Sequence, residues 1–132
     1  MTRQSSSPVV GRGATDGRVS WAEALTVVLV CWLLSGLGYA VFAALDEPGL
    51  AVAPLLGVGL VRWFWARHRV WPAAVAGAVA GLVVLFGAVD LLRPGRSRYV
   101  ADALATGLGA TAALVVFALA CRVRVPAGDR NP

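Results

Sequence analysis

The 132-residue chain contains no lysine and no isoleucine, and it is poor in the residue types that build most chemical sites. Its single histidine excludes a metal site made of several histidines, and its two cysteines are too few for a disulfide scaffold. Charged residues make up 14% of the chain, against about 25% in ordinary soluble domains, which excludes an acidic, solvating chain. The lack of lysine and isoleucine beside abundant alanine, glycine, valine and arginine indicates a GC-rich bacterial genome.

Apolar residues and arginine are what the chain has instead. Apolar residues account for 58% of it, against roughly 45–50% in soluble domains. All 12 positive charges are arginines, and the formal net charge is +5. Because the arginines lie in the gaps between apolar runs and not along one stripe, the pattern favours arginine-flanked membrane helices over a nucleic-acid-binding surface. We therefore expect the lipid bilayer, and no nucleic acid, as a partner.

Three uncharged runs are long enough to cross a membrane. Residues 24–45, 70–89 and 103–121 contain 22, 20 and 19 residues without a charge. At about 1.5 Å of rise per residue, helices of this length span a hydrocarbon core of about 30 Å. The sequence therefore predicts an all-α integral membrane protein.

A fourth apolar segment is shorter, and the charge distribution decides whether it crosses. Residues 48–61 number only 14, but the segment continues through Arg62 and two tryptophans to Ala66. Arg62 would lie about 6 Å inside the helix end, a depth from which a long arginine side chain reaches the surface. With four crossings and a cytoplasmic N-terminus, nine arginines are cytoplasmic and three external, whereas without the fourth crossing the division is six to six. The positive-inside rule therefore favours four transmembrane helices in an antiparallel bundle with both termini in the cytoplasm.

The expected organisation is one transmembrane domain between two polar tails. Residues 1–20 are expected to form a flexible N-terminal tail, residues 21–122 the four-helix domain, and residues 123–132 a short C-terminal tail. The helices are expected at about residues 21–45, 49–66, 71–92 and 99–121. Three arginines lie on the predicted external side, against the general bias: Arg93, Arg96 and Arg98.

Small residues recur at the four-residue spacing that lets transmembrane helices approach closely. Gly77 and Gly81 form a G-x-x-x-G pair in the third predicted helix, and Gly107 and Gly109 belong to two such rows in the fourth. These faces suit either a homo-oligomer interface or the packing of helices within one chain. Because such pairs arise readily in a chain rich in glycine and alanine, packing within the chain is the favoured interpretation.

Aromatic residues mark the expected membrane boundaries. Trp21, Trp63, Trp65 and Trp71 lie near the predicted cytoplasmic boundary, and Tyr99 lies near the external one. Tryptophan and tyrosine are enriched at both membrane–water interfaces, where their rings lie at headgroup level. The pattern therefore indicates interfacial anchors rather than an aromatic ligand site.

Four ionisable residues are the candidates for a polar or gating role: Asp90, Asp102, Glu23 and Arg62. Asp90 and Asp102 would lie about 3 Å and 4.5 Å inside their helix ends, close enough in sequence to Arg93 and Arg98 to pair with them. One interpretation makes the two aspartates an external gate or a cation or proton acceptor. Their shallow depth favours ordinary helix-end charges, with Asp102 at the positive end of the fourth helix dipole.

The sequence supplies little for catalysis. His68 lies between two arginines, and we expect it in a loop that faces the lipid headgroups. Cys31 is expected about 15 Å inside the first helix and Cys121 at the inner end of the fourth, too far apart for a disulfide. No serine–histidine, cysteine–histidine or paired-carboxylate arrangement is present at mid-depth. We therefore expect no enzyme activity, no metal ion and no cofactor.

Together these patterns predict a small non-catalytic protein of a bacterial inner membrane, acting as an accessory, assembly or interaction subunit. Its arginine-rich cytoplasmic face would contact anionic lipid headgroups, and its partner would be another membrane protein or a second copy of the chain. The alternative is a small homo-oligomeric transporter or channel, including a holin-like pore. That alternative needs a polar path through the bilayer, for which the available hydroxyl groups are those of Ser35, Thr106 and Thr111.

Overall fold

The computed structural model describes residues 19–47, 50–68 and 70–123, which form four α-helices joined by short connections. The helices are α1 (Trp21–Leu45), α2 (Ala53–Arg67), α3 (Trp71–Leu92) and α4 (Arg98–Val123). Three of them, α1, α3 and α4, are long and apolar enough to cross a membrane, which confirms the all-α prediction and the three long spans. The fourth, α2, has 15 residues and is about 22 Å long. Nearly all of the two predicted tails lies outside the described residues.

The local sequence explains where the helices begin and end. Ser20 caps α1, because its side chain accepts a hydrogen bond of 3.1 Å from the backbone N–H of Glu23. α2 and α3 each carry a proline in the first turn, where a missing N–H breaks no helical hydrogen bond. After α1, Asp46 adopts a left-handed conformation with φ of 53°, and its N–H donates to the carbonyl oxygen of Phe42. Gly95, with φ of 86°, reverses the chain between α3 and α4.

α4 is the central helix. Half of its apolar segment is buried within the chain, against 17% for α1 and 11% for α3. The largest helix–helix interface joins α3 to α4, and the second joins α1 to α4, whereas α2 makes only a small contact with α1. The core is therefore a row of three helices with α4 in the middle, and α2 is the least tightly packed element.

The α3–α4 interface depends on glycines. A Cβ atom placed on Gly77 would lie 2.7 Å from the carbonyl oxygen of Ala113, and one on Gly81 would lie 2.8 Å from the Cβ of Ala113. On the α4 side, a Cβ atom on Gly109 would lie 3.0 Å from the carbonyl oxygen of Gly81. All three distances are shorter than an ordinary van der Waals contact, so a Cβ at Gly77 or Gly81 would force the facing atoms to shift, and one at Gly109 would require its neighbours to give way slightly.

The α1–α4 interface combines a glycine with side-chain hydrogen bonds. The indole of Trp32 covers Gly107, where a Cβ atom would lie 2.7 Å from the ring, and its Nε1 donates to the Thr111 hydroxyl at 3.0 Å. The Ser35 hydroxyl donates to the backbone carbonyl of Ala103 at 3.0 Å. In a span without water, each of these bonds satisfies a polar group that would otherwise be costly to bury.

α2 runs beside α1 and is fastened to it near both ends. Near the start of α2, a methyl carbon of Val52 lies 2.6 Å from the position of a Cβ on Gly38. At the other end, His68 contacts Glu23 of α1. We call the end of the molecule with this second contact the His68 end, and the opposite end, where α3 meets α4, the Asp102 end.

Candidate functional site

An apolar groove separates α2 from the α3–α4 pair, and we call it the α2 groove. It is lined by residues within 53–64 of α2, 74–85 of α3 and 106–117 of α4, and its volume is about 290 Å³. Each helix therefore contributes a stretch of 12 residues, about 16 Å long. Thr106 at the Asp102 end and Trp63 at the His68 end carry the only polar side-chain atoms among the lining residues. A groove of this volume and composition is suited to an apolar ligand.

One wall of the α2 groove has free space, whereas its floor does not. The floor contains Gly77, Gly81 and Gly109, which are in close contact across the α3–α4 interface. The α2 wall contains Gly57, and a Cβ atom placed there would have no heavy atom within 4 Å. A side chain added at Gly57 would therefore enter the groove without meeting the protein.

The His68 end carries a buried histidine. The side chain of His68 is 7% exposed, and its Nε2 lies 3.3 Å from Oε1 of Glu23. The same carboxylate oxygen lies 3.4 Å from Nε of Arg67, whose side chain is 68% exposed. Nδ1 of His68 is buried and has no hydrogen-bond partner among the described residues. The expectation that His68 occupies a headgroup-facing loop is wrong, because the start of α1 and the end of α4 cover it.

An aromatic cluster surrounds that histidine. His68 packs against Trp63 at a centroid distance of 4.9 Å and against Phe117 at 5.9 Å, and Phe64 packs against Phe117 at 5.5 Å. On the outer side of the cluster, Trp71 lies 5.9 Å from Phe64. We call Trp63, Phe64, Phe117 and His68 the aromatic cluster. It closes the α2 groove at this end.

The predicted interfacial aromatics therefore differ from one another in burial. Trp21, Trp65 and Trp71 are 51%, 51% and 57% exposed, as an interfacial residue should be. The guanidinium of Arg122 lies over the ring of Trp21 at 4.2 Å, the geometry of a cation–π contact. Trp63 is half-buried in the aromatic cluster, and Tyr99 is half-buried against the apolar contacts around Tyr39.

The Asp102 end brings two arginines to one carboxylate. Nη2 of Arg93 lies 3.7 Å from Oδ1 of Asp102, and Nε of Arg98 lies 3.9 Å from Oδ2. Both distances exceed that of a good hydrogen bond, and the arginine side chains are 54% and 59% exposed. Their donors therefore remain available to an anion. Asp90 is exposed and, in the described part of the chain, takes part in no ion pair.

The candidate gating residues consequently lie in four different places. Glu23 belongs to the His68 end and Asp102 to the Asp102 end, whereas Asp90 lies exposed near the end of α3. Arg62 is exposed on α2, and its helical spacing from Leu60 and Phe64 of the groove wall places it on the opposite face. These four residues do not form one site.

Hydroxyl groups are concentrated in the half of the α1–α4 interface nearer the Asp102 end. Besides the bonds of Ser35 and Trp32, the Tyr39 hydroxyl lies 3.5 Å from the Thr106 hydroxyl. Thr106 and Thr111 also donate to the carbonyl oxygens four residues earlier, at 2.7 Å and 2.8 Å. We call Tyr39, Ser35, Trp32, Thr106 and Thr111 the hydroxyl seam.

Of the hydroxyl seam, the sequence pattern pointed to Ser35, Thr106 and Thr111. It did not point to Tyr39 or Trp32. Tyr39, Ser35 and Trp32 recur at intervals of four and three residues, which is a helical face, and this spacing was the signal available in advance. The α2 groove had no such signal, because it depends on how far α2 lies from α3 and α4.

Two further findings concern a possible metal site and possible relatives of this chain. Cys31 and Cys121 are free and buried, and no group of three or more histidine, cysteine or acidic residues suited to a metal ion occurs among residues 19–47, 50–68 and 70–123. Comparison of the chain with protein-family models, curated proteins and solved structures found no match.

Proposed function

We propose that this protein is a small non-catalytic integral protein of a bacterial inner membrane, acting as an accessory, assembly or interaction subunit. In this proposal all four helices cross the bilayer as an antiparallel bundle, and both termini are cytoplasmic. The observation that carries the proposal is that the α3–α4 and α1–α4 interfaces are closed. The small faces and most of the interior polar groups of the chain are used in contacts between its own helices.

Support for the fourth crossing comes from the two points at which α2 meets α1. Val52 contacts α1 at Gly38 and His68 contacts it at Glu23, and these α1 positions are 15 residues apart. That spacing corresponds to about 22 Å along α1, most of a hydrocarbon core of about 30 Å. The nine-to-three arginine division supports the same topology.

Support for a role other than transport comes from the hydroxyl seam. Its members bond to one another or to backbone carbonyls, so their donors are used within the protein. From Trp32 to the His68 end, the buried side chains described in α1 and α4 are apolar or thiol-bearing: Ala24, Cys31, Leu114, Phe117, Ala118 and Cys121. The buried polar side chains of the α1–α4 interface therefore end about halfway along the two helices. An ion that moved beyond that point towards the His68 end would meet a large desolvation penalty.

The alternative, a homo-oligomeric transporter or channel, would use the small faces of α3 and α4 between copies. Gly77, Gly81 and Gly109 contact one another or Ala113 within a single chain, which leaves little of these faces for a second copy. For catalysis, the ring of His68 has only Glu23 as a hydrogen-bond partner in the described part of the chain, and no hydroxyl or thiol that could act as a nucleophile is hydrogen-bonded to it there.

Cysteine accessibility tests the closed α1–α4 interface. With Cys31 and Cys121 replaced by alanine, Ser35→Cys, Thr106→Cys and Thr111→Cys each put a near-isosteric thiol in the hydroxyl seam. We expect no reaction with a charged, water-soluble methanethiosulfonate in native vesicles. The positive control is Ser97→Cys in the exposed α3–α4 connection, and the lipid-facing control is Leu34→Cys. Rapid labelling at all three seam positions would contradict the proposal and favour a pore.

The partner is tested by purification in mild detergent from native membranes at native expression, with mass determination and identification of co-purifying proteins. A stoichiometric second protein supports the accessory role and assigns the chemistry to that partner. A homo-oligomer without any partner would instead favour the transporter interpretation.

A further inference from the structure

We draw no further inference here: the strongest candidate, the apolar α2 groove between α2 and the α3–α4 pair, has arginines at both ends of the molecule beyond it, and nothing in the part of the chain that the structure describes shows what covers it.

Discussion

The α3–α4 interface and the α2 groove are adjacent regions with similar compositions and opposite packing. Glycine and alanine line both, but across the interface the backbones approach until a single Cβ atom has no room, whereas Gly57 on the α2 wall has free space around it. Close packing gives the first region its stability, since helices in lipid associate mainly through van der Waals contact. The second region retains space for a ligand. A small residue at a helix face is therefore evidence of close packing only when the facing helix is near.

The largest expected effect comes from filling the closed interface. Gly77→Ala should lower the free energy of unfolding by about 1–3 kcal/mol, because the new Cβ meets the backbone of α4 and the helices must separate. The matched control is Gly87→Ala in the same helix, where a Cβ has no neighbour within 4 Å. It should be neutral or stabilising by up to about 1 kcal/mol through helix propensity.

Unfolding by sodium dodecyl sulfate in mixed micelles measures both variants. The comparison fails if Gly77→Ala and Gly87→Ala change stability in the same direction.

A smaller loss is expected on the other side of α4. Gly107→Ala should cost about 1–2 kcal/mol, because the Trp32 ring must shift and weaken its hydrogen bond to Thr111. A double-mutant cycle with Trp32→Ala isolates this contact. We expect the cost of Gly107→Ala to fall strongly in the Trp32→Ala background; an undiminished cost would show that the ring is not the obstacle.

Substitutions at the His68 end should lower the stability less than those at the α3–α4 or the α1–α4 interface. Glu23→Ala leaves Nε2 of the buried His68 without its partner, and we expect a loss of about 1 kcal/mol. Arg67→Ala removes a largely exposed partner of the same carboxylate, and its effect should remain below about 0.5 kcal/mol. Thermal unfolding in detergent compares the two variants, and an equal or larger effect of Arg67→Ala would contradict the assignment.

The smallest effects are expected at the Asp102 end. Asp90→Asn and Asp102→Asn should leave membrane insertion and assembly intact, with stability changed by about 0.5 kcal/mol or less. Asp102→Asn should have the larger effect, because two arginines contact that carboxylate. Protease protection and size-exclusion profiles check insertion and assembly. Complete loss of a measured ion or solute flux in either variant would refute the non-transport proposal.

Sequence reasoning succeeded where the property depends on one segment of chain. Its three long apolar runs correspond to α1, α3 and α4, because length and composition suffice to specify a membrane-spanning helix. It also placed Arg93 and Arg98 within reach of an aspartate, since pairing across a short connection depends on nearby residues. The choice of Asp102 over Asp90 depends on which side of each helix faces the other, and the structure was needed to establish it.

The expectation for His68 was wrong because the direction of its side chain also depends on contacts with other helices. Two neighbouring arginines are typical of a membrane surface, yet the ring itself turns inward and contacts Glu23 and Phe117, which are 45 and 49 positions away along the chain. Charge near a residue in sequence indicates the depth of its backbone and leaves the direction of its side chain open.

The sequence by itself determined that this chain is helical and carries three segments able to cross a membrane. Those properties follow from local composition, because in lipid each helix satisfies its own backbone hydrogen bonds. Only the tertiary structure decided which glycines are in contact, where the hydroxyl groups are hydrogen-bonded, and that a groove remains beside α2. Those properties depend on distances between helices far apart in the chain, and a difference of a few ångströms separates a closed interface from an open groove.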